Sequence, residues 1–85
     1  MSQHSNQFEK KAWLRRIEKK VYGAALYVVQ DEPRAIEIAK AALLHLYRDE
    51  QQPVEGSKEE RRKVLSAVFQ SYSRMELSYE AENRR

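Results

Sequence analysis

The chain has 85 residues, 41% hydrophobic and 34% charged, with 16 Lys and Arg against 13 Asp and Glu and a net charge of +3. That length holds one small domain with a limited core. The apolar share is too high for a disordered tail, and the charge too high for a chain embedded in lipid. With no cysteine there is no disulfide framework, no thiolate metal ligand and no cysteine nucleophile.

Residues 1–6 are expected to form a flexible tail, and residues 7–80 one helical domain. The first helix is predicted over 7–29, with Ser5 as candidate N-cap. Trp13, Ile17, Val21, Ala24 and Val28 recur at steps of four and three, which stacks them on one face. Leu14 and Ala25 widen that stripe, and Lys11, Arg15 and Lys19 line the opposite side. Gly23 interrupts the run, a choice that costs up to ~1 kcal/mol relative to alanine inside a helix; close helix packing is its expected role.

The second helix is predicted over 32–48. Asp31 or Glu32 caps it, and Pro33 falls in its first turn, where a missing N–H does no harm. Ala35, Ala39, Ala42 and Leu46 form its inner stripe, with Ile36, Leu43 and Tyr47 beside it. The third helix is predicted over 58–80. Ser57 and Glu60 stand in the serine–glutamate spacing of a capping box, and Leu65, Val68, Tyr72, Met75 and Tyr79 then form its stripe, flanked by Val64 and Phe69. Residues 81–85 are expected to fray. No segment alternates as a half-buried strand would. The fold expected is therefore all-α, a three-helix bundle.

Catalysis is not expected. His4 falls in the predicted tail and His45 on the outer side of helix 2, and no HExxH, GxSxG or P-loop pattern occurs. No metal or cofactor is implied. No apolar run approaches the roughly 20 residues that span a bilayer, and the first residues lack the apolar core of a secretory signal. A cytoplasmic protein without membrane contact is expected.

Two surfaces are candidates for binding. In helix 1, Lys10, Lys11, Arg15, Arg16, Lys19 and Lys20 outnumber Glu9 and Glu18. Lys11, Arg15 and Lys19, with Arg61, Arg62 and Lys63 of helix 3, are the candidate phosphate contacts; the competing reading is an ordinary solvated face. Nucleic-acid stacking also calls for interleaved aromatics, and the only nearby rings are Tyr22 and Trp13, which lies on the core stripe. In helix 2 the outward side holds Glu37, Ile38, Ala41, Leu44 and His45. Clustered apolar residues there mark a protein interface, unless helix 2 is central and the bundle wraps it on more than one side. A homodimer burying Tyr22 and Leu26 with Ile38 and Leu44 is a further reading.

Residues 21–49 carry a resemblance. Val21-Tyr22 and Ala25 match a helix end, Gln30-Asp31 a short turn, and Ala35, Glu37, Leu43, Leu46, Tyr47 and Arg48 a following helix. The pattern resembles region 2 of bacterial sigma factors, especially the short extracytoplasmic-function group, over about a third of the chain. The resemblance implies a region-2-like fold whose second helix docks on the clamp helices of the RNA polymerase large subunit, or on a sigma regulator. It assigns Glu37, Lys40, Ala41 and Leu44 to that docking surface, and with the outward Ile38 and with Arg48 these form the expected protein interface. It also implies an excised domain or a stand-alone relative. The sequence departs from the family at Lys40-Ala41, where the family has Gln-Glu, and at Ile36, where it has an acid. In helix 3 the family's Trp and Asn align with Val64 and Ser71. Asp49, Glu50 and Glu55 load the preceding loop with acid, which repels phosphate, so weak or absent promoter reading is expected.

Overall fold

The computed structural model describes residues 2–49 and 51–83, and the side chains within 9–49 and 51–77. Three helices, α1 (Ser2–Val29), α2 (Glu32–Arg48) and α3 (Lys58–Asn83), account for the regular structure, and the described residues include no strand. α2 packs against both other helices, and α1 and α3 touch each other least. The chain is all-helical, with one core in which each helix takes part.

Local chemistry sets the boundaries. α1 starts at Ser2, so Ser5 lies inside the helix and is not its N-cap. At its other end Gln30 takes the left-handed conformation, φ 52°, and its N–H donates to the Leu26 carbonyl at 2.7 Å. That conformation closes many helices and is usually filled by glycine. Asp31 then caps α2: its Oδ2 accepts from the Arg34 N–H at 3.1 Å, and Pro33 occupies the first turn. The serine half of the capping box starts α3, with the Glu60 N–H donating to Ser57 Oγ at 3.1 Å. α3 extends to Asn83, past the expected end at 80, while residues 84–85 lie outside the described residues.

The core is Trp13, Ile17, Val21 and Ala25 of α1, Ala35, Ile38, Ala39, Ala42 and Leu46 of α2, and Val64, Ala67 and Val68 of α3. The four expected stripe residues of α2 are all buried. Ile38 joins them, because it stands three residues after Ala35 and four before Ala42 and so closes the same surface. A helix held between two neighbours buries a wider arc than a helix with one. The inward face of α3 also differs from the expected one. Val68 is buried as expected, but Leu65 is exposed and the flanking Val64 is buried in its place. Tyr72 and Met75 are partly buried, and the Tyr79 side chain lies outside the described ones.

Gly23 is exposed, and a Cβ built on it meets no atom within 4 Å. Close packing within this chain is therefore not its role. Gly23→Ala should raise stability by roughly 0.5–1 kcal/mol, because alanine restricts the unfolded chain and favours helix. Urea titration checks this; a loss of stability would contradict the open space around Gly23.

Candidate protein-binding surface

The structure tests the expected interface by exposure. Glu37, Lys40, Ala41 and Arg48 are exposed, and Leu44 is 51% exposed. Ile38 is fully buried, so it is a core residue and not part of the interface. The same correction removes it from the expected dimer surface, whose other members Tyr22 and Leu26 are partly buried against the core. Ala41, Leu44, His45 and Arg48 line one side of a shallow cleft of about 130 Å³ that Gln70, Ser71 and Arg74 of α3 close on the other. Lys40 turns the other way, into an open groove of about 430 Å³ between α1 and α2, beside Tyr22, Ile36 and Leu43. The outward side of α2 thus carries a half-exposed leucine beside Ala41, with Glu37 and Arg48 exposed on the same helix.

The candidate phosphate contacts do not gather on one face. Lys11, Arg15 and Lys19 are exposed along α1, and none forms an ion pair with the described residues. Arg61 borders the groove between α1 and α3, whereas Arg62 and Lys63 border the cleft between α2 and α3. Lys63 is committed within the chain. Its Nζ lies 2.9 Å from Asp49 Oδ2 and donates to the Gln51 carbonyl at 2.8 Å, so it is corrected from a phosphate contact to a brace of the loop after α2. Lys10 donates to the Asp49 carbonyl and holds its ammonium 5.7 Å from the centre of the Tyr47 ring. The hydrogen bond from Lys63, then the Gln51 N–H at 3.0 Å, hold the Asp49 carboxyl below the usual aspartate value. Arg16 pairs with Glu55 at 3.3 Å, and Arg34 with Glu76.

Among the described residues one charged side chain lies inside the core. Glu60 is 2% exposed. Its Oε2 accepts the Trp13 Nε1–H at 2.9 Å, and its Oε1 accepts the Gly56 N–H at 3.3 Å and Lys20 Nζ at 3.4 Å. The reciprocal half of the capping box is thus shifted: the carboxylate takes the N–H of Gly56 rather than that of the capping serine, and spends its second oxygen on α1. Burial pushes the Glu60 pKa up, but the donors from Trp13, Gly56 and Lys20 together outweigh it, and the group stays below the usual glutamate value. Spacing marks Glu60 as a capping residue but cannot name Trp13, 47 positions away, as its partner.

Among the described residues no group of three or more His, Cys, Asp or Glu converges as a metal site would require, and no helix is long and apolar enough to cross a membrane. Comparison with protein-family models, with curated proteins and with solved structures returns no match.

The lowered Glu60 pKa has a sign. The unfolded chain holds glutamate near its ordinary value of about 4.3, so the stabilisation is complete above that pH and is lost as pH falls through the lower folded value. Glu60→Gln should therefore cost about 1–3 kcal/mol at neutral pH, a gap that narrows near pH 3. Urea denaturation at both pH values measures it; an equal gap at both would show that the charge contributes nothing.

Proposed function

We propose that this chain is a helical protein-binding module, similar to sigma-factor region 2, that docks on the transcription machinery (RNA polymerase or a sigma regulator) through the outward side of α2. The observation that supports this reading is Leu44, half exposed beside the exposed Ala41, with Glu37 and Arg48 exposed on the same helix. An apolar anchor with a charged border is the usual composition of a small protein interface. Promoter reading is not part of the proposal: Lys63 is neutralised by Asp49, and the other cations of α3 point to separate grooves.

Leu44→Asp and Glu37→Arg should each abolish retention of RNA polymerase by the tagged full chain while leaving its thermal unfolding unchanged. Ile38→Ala, by contrast, should destabilise the fold by about 2–5 kcal/mol, as truncation of a buried isoleucine does. Undiminished polymerase recovery by the Leu44 and Glu37 variants would overturn the docking assignment.

Exposure of Lys11, Arg15 and Lys19 without ion pairs to the described residues supports a second reading, non-specific contact with nucleic acid. Three phosphate contacts give a slope of log affinity on log salt of roughly −2 to −3. Replacing all three by glutamine should remove both the binding and its salt dependence; a titration with duplex DNA at low salt that shows no binding by the unaltered chain would dismiss it.

A further inference from the structure

A second surface lies on the other side of the molecule. Between α1 and α3, the least closely packed pair of helices, runs an open groove of about 420 Å³. Gly23 and Ala24 line one side and Val64 and Leu65 the other, with Lys20 and Arg61 also at its border. One turn further along each helix stand Tyr27, 83% exposed, and Phe69, 53% exposed. Leu65 is exposed as well, so three large apolar side chains on this side lack cover from their own chain. Patches of that kind on a small domain mark contact sites.

Two features restrict what can occupy it. Gly23 is the first. It sits mid-helix at a cost in helix propensity, yet nothing in this chain approaches it within 4 Å of a Cβ position. A missing side chain lets another backbone come close, which is how glycine serves at helix crossings. Charge is the second. Arg61 is exposed and forms no ion pair with the described residues, and Lys20 reaches Glu60 while its side chain stays 61% exposed. The acids nearby are already satisfied: Glu60 is buried beneath the groove and Glu55 is paired with Arg16. Glu18 and Glu59 line different clefts. The free charge at the border is positive.

We propose that the groove between α1 and α3 receives the apolar face of an amphipathic, acidic helix from another protein. Its backbone crosses α1 at Gly23, its apolar side chains meet Leu65, Tyr27 and Phe69, and its flanking carboxylates face Lys20 and Arg61. This is the helix-in-groove mode, in which anchors recur every three or four residues. The surface is separate from the outward side of α2, so both can be engaged independently.

The test is a selection on the full chain from a phage-displayed library of helical peptides of roughly 18 residues, about five turns. Enriched peptides should be amphipathic and net acidic. Labelled versions should lose affinity by roughly tenfold or more on Gly23→Leu, a hot-spot-sized effect. Arg61→Glu should also weaken them. A Cβ at position 23 meets no atom within 4 Å and leucine favours helix over glycine, so thermal unfolding of Gly23→Leu should match or exceed the parent's, and Leu44→Asp should leave peptide binding unchanged. Enrichment of basic peptides, or of none, overturns the proposal, as does equal binding to the Gly23→Leu variant. Two further results overturn it by naming another occupant: a concentration-dependent dimer in light scattering that Gly23→Leu abolishes, or a labelled oligothymidine strand that binds the parent and not that variant.

Discussion

The arrangement depends on one buried carboxylate. Glu60 lies in the first turn of α3, where the free N–H groups of a helix favour negative charge, but it is inside the protein and not at its surface. An unpaired carboxylate in that position would cost several kcal/mol. It is tolerated because three donors converge on it, two from α1 and one from the loop before α3: the Trp13 indole, the Lys20 ammonium and the Gly56 N–H. Both α1 donors are 40 or more positions from Glu60, so the full bond set exists only when α1, the loop before α3 and α3 itself have assembled. α1 and α3 touch least of the three helix pairs, and Glu60 is what fastens the start of α3 to α1.

That bond set also sets the rotation of α3. With Glu60 facing the core, Val64 and then Ala67 and Val68 follow it inward at helical spacing. Leu65 and Phe69 are then carried to the surface, where Leu65 lines the groove with α1 and Phe69 stands one turn beyond it. A small core and an unoccupied apolar groove thus share one cause. The loop between α2 and α3 is held by a second polar centre, in which Asp49 receives Lys63 and the Gln51 N–H through its carboxyl and Lys10 through its carbonyl.

α2 has the opposite character. Its inner side is mostly alanine, which brings α1 and α3 close to its axis, and Ile38 and Leu46 supply the bulk. Of its large apolar residues Leu44 is the most exposed, ahead of Ile36 and Tyr47. The two candidate surfaces, one on α2 and one between α1 and α3, are therefore consequences of the same packing order: the central helix shows its back, and the two outer helices leave a gap.

Periodicity and capping chemistry were enough to determine three helices and their connections. Apolar spacing depends on local geometry, and the caps at Asp31 and Ser57 are bonds between residues three apart. The inner stripe of α2 was legible for the same reason, as was the outward placement of Glu37, Ala41, Leu44 and His45. Tertiary structure alone decided the burial of Ile38, because how wide an arc a helix hides depends on how many neighbours it has. It alone decided that Glu60 and Val64 face inward while Leu65 faces out, because a pattern of apolar residues gives no reason to turn a glutamate inward until its distant partners are in place. The groove at Gly23 had no local signal either: a glycine that packs against a neighbour and one that faces open space are identical in a sequence, and only the positions of the other two helices tell them apart.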